Sequence, residues 1–183
     1  RFENCDFSNA DLSKTSMIRV EFVDCKLLGI NLSESYIGQT RFQSCITNLG
    51  IFAQTKFENV LFEESMLENA DFFDCTFKKL GFDNCNINEV NFRETSLKGI
   101  DISSSEFERI GVSMKHLKGC IVSRNQAAYF AGLLGKPTSK YPLSTKFVET
   151  YQYIEKDDDG KDKVVEGSHE DNYTCEWTLN DKK

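Results

Sequence analysis

The sequence is 183 residues long, 39% hydrophobic, and carries a formal net charge of -7. It contains no continuous apolar run of membrane-spanning length, and an acidic chain lacks the basic footprint that displaces counterions from nucleic acid, so neither a membrane span nor direct nucleic-acid binding is expected. The opening Arg1-Phe2-Glu3-Asn4-Cys5 lacks the basic-then-apolar order of a secretory leader, and seven cysteines, an odd number, fit a reducing cytoplasm better than a disulfide framework.

From Phe2 onward the chain repeats itself every five residues. Stepping by five from Phe2 to Val122 visits 25 positions, of which 24 are Phe, Leu, Ile, Met or Val; the exception is Thr47. Two residues before each of these runs a second, smaller series that includes Cys5, Ala10, Thr15, Val20, Cys25, Ile30 and Ser35. In a helix, apolar residues at this spacing would rotate by about 140° per repeat and form no face. A strand alternates every two residues and cannot hold a period of five either. The pattern fits a coil that turns one corner per five residues, with the large residue and its small companion pointing to the axis. Four repeats close a square turn of twenty residues. Positions 2, 22, 42, 62 and 82 are all Phe, and 5, 25, 45 and 85 are all Cys. Like residues therefore stack between coils spaced about 4.8 Å apart.

The stretch "CITNLGIF", residues 45–52, interrupts the pattern. Thr47 and Gly50 are expected to leave the core underfilled, while Ile46, Leu49 and Ile51 fall on outward positions beside Leu28 and Met66. Two readings stand: an exposed apolar contact patch, or a coil that departs from regular geometry and turns these residues in.

The repeat ends at Val122. Ser123 can cap a helix over residues 124–134 that Gly135 ends, and Ala127, Phe130, Ala131 and Leu134 share one apolar stripe. Such a helix either closes the open end of the solenoid or serves as a dimer interface. Pro137 and Pro142 mark residues 136–145 as a linker. In the extension 146–183, the β-branched and aromatic segments Phe147 to Ile154 and Tyr173 to Leu179, with "DDDG" as a hairpin turn, suggest a small β meander; a disordered acidic tail is the alternative.

The residues "NADFFDCTF", "NADLS" and "INLSE" resemble pentapeptide-repeat proteins over residues 2–122. That resemblance implies an all-β solenoid, a right-handed quadrilateral β-helix of about six coils, over residues 1–122. The segment "LKGCIVSRNQAAYFAGLLG", residues 117–135, resembles the C-terminal cap of Qnr-type members. This second resemblance implies a cytoplasmic homodimer, joined through the helix of residues 123–135, that shields bacterial gyrase and topoisomerase IV from quinolones.

No catalytic motif accompanies the repeat. The chain has two histidines, His116 and His169, and no HExxH, CxxC, GxSxG or phosphate-loop pattern. The cysteine column occupies small inward positions where Ala, Ser and Thr also serve, so buried thiols are expected rather than a metal or redox ladder. "DDDGKD", residues 157–162, lacks the glycine and glutamate spacing of a calcium loop. No enzyme activity, cofactor or metal is expected.

Function therefore has to come from the surface. Sorting outward residues by their place in the coil puts twelve acids against Lys26 and Arg109 on two sides, and six acids against eleven bases on the other two. Glu63, Glu64, Glu68, Asp71, Asp83, Glu89, Glu106 and Glu108 are the candidate partner-binding acids. A rod with one acidic side could imitate the evenly spaced charge of a DNA duplex; the alternative is that the acids keep the rod soluble and that the solenoid is a generic scaffold for another partner.

Overall fold

The computed structural model describes residues 1–133 in full and, as backbone only, the strands Tyr151–Lys156, Asp162–Gly167 and Tyr173–Thr174. Leu134, Gly135 and the expected linker 136–145 lie outside the described residues.

The chain forms a parallel β-solenoid. Its corners are set by backbone conformation: from Asn4 through Glu94, every fifth residue takes a left-handed φ near +55°, for example Asn4 (53°), Asn9 (57°), Lys14 (57°) and Arg19 (59°). Glycine or asparagine usually fills such positions, and Gly29 and Gly99 do so here. Asn4, Asn9, Asn59, Asn69 and Asn84 do likewise, while lysine, arginine and glutamate at seven of the remaining corners show that packing overrides local preference. The residue after each corner is the small inward one; the large inward residue two positions further on lies at the centre of a flat side.

The register between coils is twenty residues throughout. β1 (Phe2–Glu3), β2 (Ser16–Ile18) and β3 (Glu21–Val23) pair in parallel with β3 or with β4 (Tyr36–Gln43), which is followed by β5 (Lys56–Glu63) and β6 (Thr76–Asp83). Phe2 faces Phe22, Phe22 faces Phe42, Phe42 faces Phe62 and Phe62 faces Phe82. These rings stack at centroid distances of 4.5 to 5.6 Å, and a second column, Phe52, Phe72 and Phe92, meets the first edge to face, with Phe62 and Phe72 at 86°. Both arrangements suit the ring quadrupole.

The core at Thr47 and Gly50 is filled, contrary to the sequence expectation. Thr47 is fully buried and its Oγ1 donates to the Met66 carbonyl at 2.8 Å. A Cβ at Gly50 would come within 2.8 Å of the Phe52 ring and 2.9 Å of the Thr47 carbonyl. The aromatic ring occupies the space that two small residues release.

Regularity gives way in the last turn. The apolar series continues to Val122, but no left-handed residue follows Gly99 until Gly119, Lys115 is exposed, and the short helix α1 (Met114–Leu117) replaces one side. The chain then enters β7 (Ile121–Val122) and α2 (Arg124–Leu133). Further on, β8 (Tyr151–Lys156) and β9 (Asp162–Gly167) form an antiparallel pair, and β10 (Tyr173–Thr174) runs antiparallel to β7. Among the described residues, no helix is long and apolar enough to cross a membrane.

Candidate functional site

Folding redistributes the charges that the sequence map had sorted. The residues before and after each large inward residue flank it on the same flat side, because the corner comes only at the following left-handed residue. Arg41 and Glu63, which the sequence map put on different sides, both flank the Phe42–Phe62 column, and the Arg41 guanidinium donates to the Glu63 carboxylate through Nε (2.9 Å) and Nη2. The acidic sides are thus not almost free of bases.

The eight candidate acids fall into distinct settings. Glu63 is neutralised by Arg41, and Glu89 by Arg109 at 2.6 Å. Asp71 accepts from the Phe73 backbone N–H at 3.0 Å and from Asn91 Nδ2 at 2.8 Å, which ties it to its own turn. Glu64 stands exposed on a corner, and Asp83 beside the next corner accepts from Asn84 and Ser104. Glu68 is half-buried on the adjoining side. Glu106 and Glu108 line an open groove of about 590 Å³ with Asn86, Asn88, Ser104 and Gln126. Taken side by side as folded, two adjacent sides and the corner between them hold eleven acids (Glu3, Asp6, Glu21, Asp24, Glu63, Glu64, Glu68, Asp83, Asp101, Glu106 and Glu108) against Arg1, Lys26 and Arg41. An acidic ridge along the rod therefore exists, interrupted by Arg41 and Lys26.

The opposite side is basic, with Lys56, Lys78, Lys79 and Lys98 around Glu58. Lys78 donates to Glu58 at 2.6 Å and the Tyr36 hydroxyl donates to the same carboxylate at 3.1 Å. The hydrogen bond from Lys78, then that from Tyr36, holds the Glu58 carboxyl below the usual carboxylate range. The same ammonium–carboxylate contact raises Lys78.

Of the two readings for residues 45–52, the structure shows the exposed patch. Leu28, Ile46, Leu49, Ile51 and Met66 are each about 40 to 57% exposed, while the coil keeps its regular parallel bridges, Ile46 to Met66 and Ile51 to Asp71. Phe73, two residues beyond Asp71, adds a sixth exposed apolar side chain that the sequence analysis had passed over as an outward residue.

The terminal helix closes the coil. Phe130 is fully buried against Phe107 (5.8 Å between centroids) and its neighbour Tyr129; Ala127 is half-buried, and Ala131 and Leu133 are exposed. Leu134, assigned to the same stripe, lies outside the described residues. The residue that sequence reasoning missed is Gln126. Its Oε1 accepts from the Ser123 N–H at 2.8 Å, and its Nε2 donates to the carbonyls of Ile102 (2.8 Å) and Ser105 (2.7 Å). One side chain thus caps the helix start and satisfies two carbonyls of the last coil. The signal was present as Ser-x-x-Gln, a capping box.

Cys25, Cys45, Cys75 and Cys85 are buried free thiols, and Cys120 is buried as well. Burial pushes Cys45 up to about 11, Cys75 to about 12 and Cys85 to about 11, because the interior disfavours the thiolate. Among the described residues, no group of three or more His, Cys, Asp or Glu is arranged to hold a metal ion.

Residues 1–72 match the family described as "Pentapeptide repeat region". No curated protein matches the chain. Among solved structures it is similar to QnrB1, a plasmid-mediated fluoroquinolone resistance protein, with 26% identity over 61% of this chain and 55% of that one and a TM-score of 0.49. It is also similar to HetL, a pentapeptide repeat protein involved in heterocyst differentiation regulation from the cyanobacterium Nostoc, with 14% identity over 57% of this chain and 42% of that one and a TM-score of 0.46. The chain thus spans about half the length of these two proteins. The solenoid architecture itself rests on the twenty-residue parallel register.

Proposed function

We propose that the rod is a non-catalytic protein-binding scaffold whose acidic ridge engages a basic, DNA-binding surface, with bacterial gyrase and topoisomerase IV as the partner class and protection from fluoroquinolones as the result. The observation that carries this reading is the ridge of eleven acids against three bases, contributed by five of the six coils and broken at Arg41, along an axis on which coils are about 4.8 Å apart. A duplex also presents negative charge along an axis, about every 3.4 Å per strand. The choice of a type II topoisomerase comes from the resemblance of residues 117–135 to the Qnr-type cap. Self-association through the outer side of α2, where Ala131 and Leu133 stand exposed, belongs to the same reading. A second reading, a scaffold for a different protein partner, is favoured by the apolar patch in mid-rod.

The test is gyrase supercoiling with and without a fluoroquinolone, together with binding measured against salt. Changing Glu64, Glu106 and Glu108 to Gln and Asp83 to Asn should weaken binding and remove protection, and the parent's affinity should fall as salt screens the ridge. Changing Lys56, Lys79 and Lys98 to Gln on the opposite side should leave binding intact. Equal losses from both sets, or salt-independent binding, would return the protein to the second reading. Sedimentation of the same preparations reports whether the parent is a dimer.

A further inference from the structure

Nine large hydrophobic residues are exposed among the described residues. Phe2 and Ile18 belong to the first coil and Leu133 to the terminal helix. The other six lie on two adjacent sides in mid-rod: Phe73 stands at the far end of the second side, next to the corner at Asp74, and Leu28, Ile46, Leu49, Ile51 and Met66 gather around the corner between the two sides. Ile46 bridges Met66 on one side of that corner, Ile51 bridges Asp71 on the other, and Leu49 forms the corner between them with φ 58°.

Folding gives no reason for these residues. At equivalent places on the same two sides an Asp or Asn side chain accepts the backbone N–H two residues on: Asp6 from Ser8 (2.9 Å), Asp11 from Ser13 (3.0 Å), Asn31 from Ser33 (3.1 Å), Asn86 from Asn88 (3.0 Å) and Asn91 from Arg93 (3.1 Å). Ile46, Ile51 and Met66 forgo that bond. In the corner column, Leu49 adopts a left-handed φ where the flanking coils use Gly29 and Asn69, residues that tolerate it. Four positions whose local chemistry favours Asx or Gly thus carry exposed apolar side chains, and none of them joins the core.

The rim identifies what the patch accepts. Asp24, Glu64, Glu68, Asp71 and Asp74 surround it, against two bases, Lys26 beside Ile46 and Arg93 one coil on from Phe73. A second copy of the chain docked patch to patch would set these acids against their own counterparts, which disfavours self-pairing. We propose that Leu28, Ile46, Leu49, Ile51, Met66 and Phe73 form a docking site for a protein segment that carries apolar side chains flanked by lysines or arginines. The apolar residues supply desolvated contact at the centre, and the acids supply orientation at the rim. This site stands on the patch alone and does not require the partner to be a topoisomerase.

The test uses the full chain and a synthetic peptide of leucines and lysines, alongside a counterpart in which serine replaces each leucine at equal charge. Ile46→Asn, Leu49→Asn and Ile51→Asn together install the turn residues that neighbouring coils use, so the variant should keep its β circular dichroism and melt no lower than the parent. The parent should bind the leucine peptide about tenfold more tightly than the serine peptide, and the variant should lose that margin. Leu49→Asn alone, at a single exposed corner, should show a smaller loss of the same sign. Equal binding of the two peptides to the parent, or an unchanged margin in the folded variant, would overturn the proposal. So would sedimentation showing a parent dimer that the variant lacks, since the occupant would then be a second copy.

Discussion

The two halves of the central coils hold their shape by different means. Along one half, β4, β5 and β6 run eight residues each across a corner, and their backbones form continuous ladders from Tyr36 to Asp83. Along the other half there are only isolated bridges, such as Lys26 to Ile46 and Asn31 to Ile51, joined by turns that Asp and Asn side chains close. Outward side chains in the strand half make no contribution to the ladder and can vary, so lysines, glutamates and Tyr36 pair there across coils. Outward side chains in the turn half stabilise the turns, so an isoleucine or methionine in that half is conspicuous. The apolar patch is legible as a binding surface because it lies where the fold has a use for Asp and Asn.

The largest expected effect tests what the halves share. Phe62 is fully buried between Phe42 (4.5 Å) and Phe82 (5.6 Å) and meets Phe52 and Phe72 edge-on. Phe62→Ala should cost about 3 to 5 kcal/mol through lost burial and a cavity in a stack that cannot collapse. Chemical denaturation measures it, and an unchanged midpoint would mean the column contributes little.

A smaller effect separates the halves. Asn91→Ala, in the turn half, removes the acceptor for the Arg93 N–H and the donor to Asp71, and should cost about 1 kcal/mol. Gln43→Ala, outward on β4 in the strand half, should stay within about 0.5 kcal/mol of the parent. Equal losses would erase the distinction between ladder-held and turn-held halves.

The smallest effect at neutral pH concerns the small inward residues at the corners. Burial raises the thiols of Cys45, Cys75 and Cys85 above their ordinary value of 9.0. A raised folded-state pKa means the folded protein keeps its protons longer than the unfolded chain does. The associated stability is complete below pH 9 and is lost as the pH climbs toward 11 to 12. Thermal melts across that window should fall in midpoint, and labelling by a thiol reagent at pH 8 should leave these three cysteines unmodified until the protein unfolds. Rapid labelling of the native protein would contradict their burial.

Much of this architecture was legible before any coordinates. An unbroken period of five can satisfy neither helix nor strand, and a twenty-residue recurrence of Phe and Cys leaves stacking as the only economical geometry. That is why the buried columns, Phe22 through Phe82 and Phe52 through Phe92, match the sequence reading residue for residue. The Ser123 cap was visible too, yet Gln126 was not singled out, because its bonds to Ile102 and Ser105 cross from the helix to a coil more than twenty residues earlier. Periodicity specifies which residues point inward, since burying large apolar side chains dominates folding. Tertiary structure decided where the corners fall relative to the charges, and with that the pairing of Arg41 with Glu63. It also decided that Phe52 fills the space beside Thr47 and Gly50, and that five apolar residues from three coils converge on one exposed corner, with Phe73 at the far end of the adjoining side. The charge pairing and the exposed corner depend on the left-handed residue that stands between the residue after the large inward one and the next small one, a placement set by backbone sterics in three dimensions.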